Sequence, residues 1–151
     1  MTLQTLITNL TTFAGFHDQI NSFTFGPIDE LDIAKDGAEN YPILYAVPSG
    51  VDIEKGQMSI DLDFIIATPF FDEDRTAVLQ NTLSIMGDLI AYATQSTNQT
   101  NGLSGIQDPS VLSEPPFLCE PFLVRFDNAL IGWSTTLTFG CDYENNFCLV
   151  P

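Results

Sequence analysis

Apolar residues return along this chain with two different periods, and the switches between them lay out the fold. Leu3, Leu6, Ile7, Leu10, Phe13 and Ala14 recur at steps of three and four. That spacing predicts an amphipathic helix, with Thr2 available as its cap and Gly15 as its end. "QINSFTFGP" follows, with Phe23 and Phe25 alternating with polar residues before the Gly26-Pro27 break, and reads as a short extended segment. Residues 28–40 are acidic and turn-rich, a loop. "YPILYAVP" is apolar, aromatic and bounded by prolines: a short strand, with Pro42 at its start where a missing N–H is tolerated. "SGVDIEKG" then reads as a turn.

The cleanest alternation is "QMSIDLDFIIATP". Met58, Ile60, Leu62, Phe64 and Ile66 fall on one face, while Ser59, Asp61 and Asp63 fall on the other. Period two predicts a strand with a dry side and a wet side. The period then lengthens over "FFDEDRTAVLQNTLSIMGDLIAYATQ", a long helix. Leu79, Leu83, Met86, Ile90 and Ala93 line its apolar face, broadened by Val78, Ile85, Leu89 and Tyr92. Asp72, Glu73 and Asp74 stand at its start, where the helix dipole favours each carboxylate by roughly 0.3–1 kcal/mol.

A polar, Gly-rich connection, mobile in expectation over residues 96–108, leads to "VLSEPPFLCEPFLVRF". That stretch is extended but broken by Pro115, Pro116 and Pro121, which places it at a sheet edge or a bend. Asp127-Asn128 is a turn. Trp133, Thr135, Leu137, Phe139, Cys141 and Tyr143 then share one face of a last strand, followed by a strap over residues 144–151. The order is helix, strand, strand, helix, strand, strand. The economical layering is one α+β domain over residues 1–151, with a mostly antiparallel sheet of about four strands and two principal helices on one face.

Charge sharpens the picture. Four Lys and Arg stand against twenty Asp and Glu, a formal charge of −16. The cations are Lys35, Lys55, Arg75 and Arg125, far apart in sequence, so clustered contacts to a phosphate backbone or an anionic membrane are excluded. The apolar fraction of 44% is too high for a disordered acidic tail. The N-terminal residues lack a basic region and cleavage site, and no apolar run reaches the roughly 20 residues a spanning helix needs. Three cysteines and no such signal point to reduced thiols in a cytoplasm-like compartment.

Candidate chemistry is sparse. Cys119, Cys141, Cys148 and the single His17 lack the close pairs of a zinc site, and no motif surrounds a Cys–His nucleophile pair. A Cys on a strand face behaves as a small hydrophobe. Asp61 and Asp63 project from the same strand face about 7 Å apart. They could bind a divalent cation or form half of an acid/base pair, but the solvated face of a half-buried strand accounts for them better. Lining a pore is a third reading. Asp72-Glu73-Asp74 lacks the spacing and Gly of a calcium loop. No phosphate loop and no nucleophile elbow is present, and no cofactor or catalytic residue is expected.

"YPILYAVP", "MSIDLDFIIATP", the helix opening "DEDRTAVLQNTLSIMGDLI", "ALIGWSTTLTFGCDY" and the final "CLVP" together resemble small structural proteins of tailed bacteriophages. These are the tail-completion, tail-terminator and neck-ring proteins of the head–tail junction or tail end. The resemblance runs from about Phe23 to Pro151. It implies a virion protein made in the host cytoplasm, and a homo-oligomeric ring, commonly of six copies with twelve possible. Its neighbours would be tail-tube or portal and neck proteins, and DNA would be a repelled passing cargo. Asp61 and Asp63 are then candidates for the acidic lumen or solvent face. Phe147, Cys148, Leu149, Val150 and Pro151 are candidates for subunit contacts. Two other classes fit the composition: an acidic DNA mimic that blocks a basic nuclease or repressor, and a small enzyme using Cys and His17 or the paired aspartates with a metal.

Overall fold

The period-two stretch at the middle of the chain forms the centre of the sheet. A computed structural model describes residues 3–26, 41–54, 57–70, 72–94, 116–125 and 129–142. Within them α1 spans Leu3–Phe16, β1 Ser22–Phe25, β2 Ile43–Glu54, β3 Gln57–Pro69, α2 Arg75–Thr94, β4 Cys119–Arg125 and β5 Ala129–Asp142. The strands lie in the order β1-β2-β3-β5-β4. Every pairing is antiparallel except β1 with β2, which is parallel. The expected α+β domain with both helices on one face is the architecture observed, with five strands because the short segment at Phe23–Phe25 is a true edge strand.

The helix-side face carries the main core. Leu44 and Ala46 of β2, Ile60, Leu62, Phe64 and Ile66 of β3, and Leu137 and Phe139 of β5 pack under Leu6, Leu10 and Phe13 of α1 and Ile85, Met86 and Leu89 of α2. Phe64 and Phe139 meet edge to face, with ring centroids 6.1 Å apart. Each such side chain contributes about 1.5–3 kcal/mol on full burial. Trp133 Nε1 donates to the Leu79 carbonyl at 2.9 Å, so the indole both packs on the core and fixes the start of α2 over β5.

Three expectations need correcting. Residues 49–54 are not a turn: β2 continues to Glu54, and the Ser49-Gly50 signal marks a register shift between Pro48 and Gly50, a bulge within a long strand. α1 runs one residue past Gly15, to Phe16. The buried face of α2 is Thr82, Ile85, Met86, Leu89, Tyr92 and Ala93, rotated from the predicted stripe, and Leu83 is 38% exposed. Thr82 is tolerated there because its hydroxyl donates back to the Val78 carbonyl at 2.8 Å.

The opposite face of the sheet is divided. Asp61 and Asp63 occupy one end, as the alternation predicts. Further along the same strand face, Ile65 and Ala67 are buried in a second apolar cluster with Tyr41, Ile43, Tyr45 and Leu130. The wet side of β3 is therefore wet over only half its length. The Thr2 cap, the acidic loop 28–40, the connection 96–108, the Asp127-Asn128 turn and the strap 144–151 lie outside the described residues.

Gly132 is the tightest point of the sheet. It pairs with Ala67 across β3–β5, and a Cβ there would fall 1.7 Å from the Ile66 carbonyl oxygen. On its other flank it pairs with Phe122 of β4, whose side chain packs on the second cluster. Gly87, in the middle of α2, has nothing within 4 Å of an added Cβ. Gly132→Ala should therefore cost about 3 kcal/mol or more, because backbone rather than a flexible side chain must yield. Gly87→Ala should gain about 0.5–1 kcal/mol. Urea unfolding midpoints of the two variants should move in opposite directions.

Candidate functional site

Two layers of the domain carry the residues singled out by sequence, and they carry them apart. Asp61 and Asp63 lie on the sheet face away from the helices, directly opposite Thr138 and Thr136 of β5. Thr138 Oγ1 donates to Asp61 Oδ1 at 2.6 Å, and Thr136 Oγ1 donates to Asp63 Oδ1 at 2.6 Å. Each carboxylate is thus held by a neutral hydroxyl across the strand, a cross-strand pair of the kind that stabilises sheets. A neutral donor satisfies one oxygen without cancelling the charge. Ser49, the residue at the bulge, donates from Oγ to the Asp61 carbonyl at 3.2 Å.

A depression of about 180 Å³ lies towards β4, lined by Leu118, Glu120, Ser134, Thr135 and Thr136. The Thr135 hydroxyl is already committed to the Leu118 carbonyl at 2.7 Å. Glu120 and Ser134, which also line it, stand directly opposite each other across β4 and β5. Among the described residues no three His, Cys, Asp or Glu side chains gather as metal ligands.

His17 sits on the helix layer, just past α1. The Gln19 N–H donates to Nδ1 at 3.2 Å, so Nδ1 carries the lone pair and Nε2 the proton. Nε2 in turn lies 2.9 Å from Asp88 Oδ2 on α2 and donates to it. Both ring nitrogens are engaged by partners within the chain. His17 reads as a clip between the end of α1 and the middle of α2. Cys119 packs half-buried against the core cluster from β4. The side chains of Cys141 and Cys148, and the candidate contacts Phe147, Cys148, Leu149, Val150 and Pro151, lie outside the described residues.

Sequence reasoning did not find Asp88 as the partner of His17, nor Thr136 and Thr138 as the anchors of the aspartates. The threonines left a usable signal: they alternate at period two on a strand whose other face is apolar, as the aspartates do on theirs. No known protein family matches the chain, and no curated protein matches it. Among the described residues no helix is long and apolar enough to cross a membrane.

The same helix clip contains one titrating group with a displaced equilibrium. Phe13 stacks on Tyr92 at 4.8 Å, and the Tyr92 hydroxyl donates to the Asn9 carbonyl at 3.2 Å. Burial raises the phenol above its ordinary value of 10.0. The unfolded chain therefore loses this proton first as pH rises, binds fewer protons, and gains relative to the folded state. The stabilising contribution is complete below pH 10 and declines as pH climbs through the folded value. Unfolding midpoints measured from pH 8 to 11 should fall for the wild type, and the Tyr92→Phe variant should show a shallower fall.

Proposed function

We propose that the protein is a non-enzymatic structural subunit of a tailed-phage virion. Identical copies, six or twelve, form a ring at the head–tail junction or the tail end, against tail-tube or portal and neck proteins. DNA passes this ring as repelled cargo.

The observation that carries the reading is the acidic sheet face. Asp61 and Asp63 are pinned by threonine hydroxyls, so their geometry is fixed while their charge is left uncompensated by those partners. A fixed negative face on a subunit of charge −16, repeated around a ring, gives a strongly negative field. Such a wall offers phosphates nothing to grip. His17 favours the same side of the argument: its two nitrogens serve the packing of α1 on α2. Rings of one chain use head-to-tail interfaces, in which two different patches of a subunit meet.

Native mass measurement of the purified protein tests the reading. The expected species are six or twelve copies of the 16.6 kDa chain, and labelled protein should locate to particles at the neck or tail end. Deleting residues 144–151 should weaken assembly and leave the monomer's unfolding midpoint unchanged. A single 16.6 kDa species at every concentration, with no label on particles, would count decisively against the ring.

A further inference from the structure

β2 is a central strand for only part of its length. β1 covers it from Ile43 to Ala46, and among the described residues no strand lies along it from Val47 to Glu54. The backbone orientation on that open side follows from the ladder. The Gly26 N–H donates to the Ala46 carbonyl at 3.1 Å, which turns Ala46 towards β1 and Val47 towards β3. Val47 faces Asp63, and counting by twos along β3 gives Asp61 and Ser59 the same orientation. Their partners Gly50 and Asp52 therefore bond to β3, while Val51 and Ile53 direct their N–H and C=O groups to the open side. Pro48 falls on the open side too, where its missing N–H costs the sheet nothing.

The side chains of this edge are sorted by face. Val51 and Ile53 pair with Ile60 and Met58 on the helix side, yet they are 50% and 62% exposed. Asp52 pairs with Ser59 on the opposite face and is exposed, on the face that carries Asp61 and Asp63. A row of backbone groups with no partner strand among the described residues, flanked by exposed apolar side chains, is a template for another strand.

We propose that the edge from Val51 to Ile53 is a strand-addition site for an extended segment of a different, basic protein. In that segment apolar residues alternate with Lys or Arg. Its apolar side chains lie beside Val51 and Ile53, and its cations lie beside Asp52 and towards Asp61. A second copy of this chain fits poorly. Pairing β2 with β2 sets Asp52 near its own counterpart between molecules of charge −16, and the β4 edge carries Pro121 as its third residue. The site does not depend on the ring.

The test uses the full chain and a fluorescent eight-residue peptide of alternating Lys and Val, with a Glu–Val peptide as control. Anisotropy should show binding of the Lys–Val peptide and not of the Glu–Val peptide. Ile53→Pro removes one outward N–H at a position equivalent to Pro48, and should weaken binding at least tenfold. Asp52→Lys, which leaves every backbone group in place, should weaken it at least threefold. Undiminished binding to Ile53→Pro would reduce the contact to general charge attraction and overturn the proposal, as would no binding to the wild type. A wild-type dimer in sedimentation that Ile53→Pro dissolves would assign the edge to a second copy and overturn it as well.

Discussion

β3 and β5 lie antiparallel over thirteen paired positions, from Gln57 with Asp142 to Pro69 with Leu130. A slip of one residue would carry every side chain of either strand to the opposite face. That pairing sets Leu62 beside Leu137 and Phe64 next to Thr135 under the helices, and sets Asp61 and Asp63 beside Thr138 and Thr136 on the far side. The apolar core and the acidic face are thus two readings of one register. Gly132 fixes it further, because only a residue without a side chain fits against the Ile66 carbonyl. Elsewhere in the same strands, apolar pairs and carboxylate–hydroxyl pairs each lose their partners on displacement. The register therefore holds by mutual agreement of several weak contacts as well as by one steric exclusion.

The elements that depend on local pattern were legible in the sequence. β3 declares itself by alternation from Met58 to Ile66, and α1 by its three- and four-residue steps. What escaped was decided by contacts between distant segments. Ser49-Gly50 carries turn chemistry, but β3 offers β2 a continuous partner on both sides of it, so the ladder absorbs the extra residue as a bulge. α2 is apolar around much of its circumference, so the pattern put Leu83 in the stripe and Ile85 at its margin, while the sheet packs on the side of Ile85. The second cluster is assembled from β2, β3 and β5 together with Tyr41, and no single segment announces it. The candidate site follows the same division. The face of Asp61 and Asp63 was readable, while their threonine anchors required knowing which residue of β5 stands opposite.

The distribution of proline and glycine separates what the sheet forbids from what it leaves open. Pro121 lies in the edge strand β4, and Pro48 lies on β2 beyond the end of β1. Neither interrupts the central ladder. Each also limits how a foreign strand could continue the sheet at its edge, a common protection against unwanted pairing. The distal part of β2 escapes that protection, since Val51 and Ile53 offer backbone and side chain together. The charge of the chain works in the same sense. It discourages copies from meeting face to face across Asp52, Asp61 and Asp63, and leaves that side to a partner of opposite sign.

Charge of this size must be reconciled with any assembly of like subunits. At about 0.15 M salt, exposed charges further apart than roughly 8 Å are largely screened. Repulsion between copies therefore depends on how close the carboxylates of neighbouring sheets approach, more than on the total of −16. The threonine anchors matter here because they hold Asp61 and Asp63 against their own sheet instead of letting them reach towards a neighbour. A subunit built this way can join others through surfaces away from that face at little electrostatic cost. A polyanion brought within that screening range of this face would meet the unscreened charge of the anchored carboxylates. Local fixation of charge, more than its quantity, is what would let one polypeptide both associate with itself and decline to bind DNA.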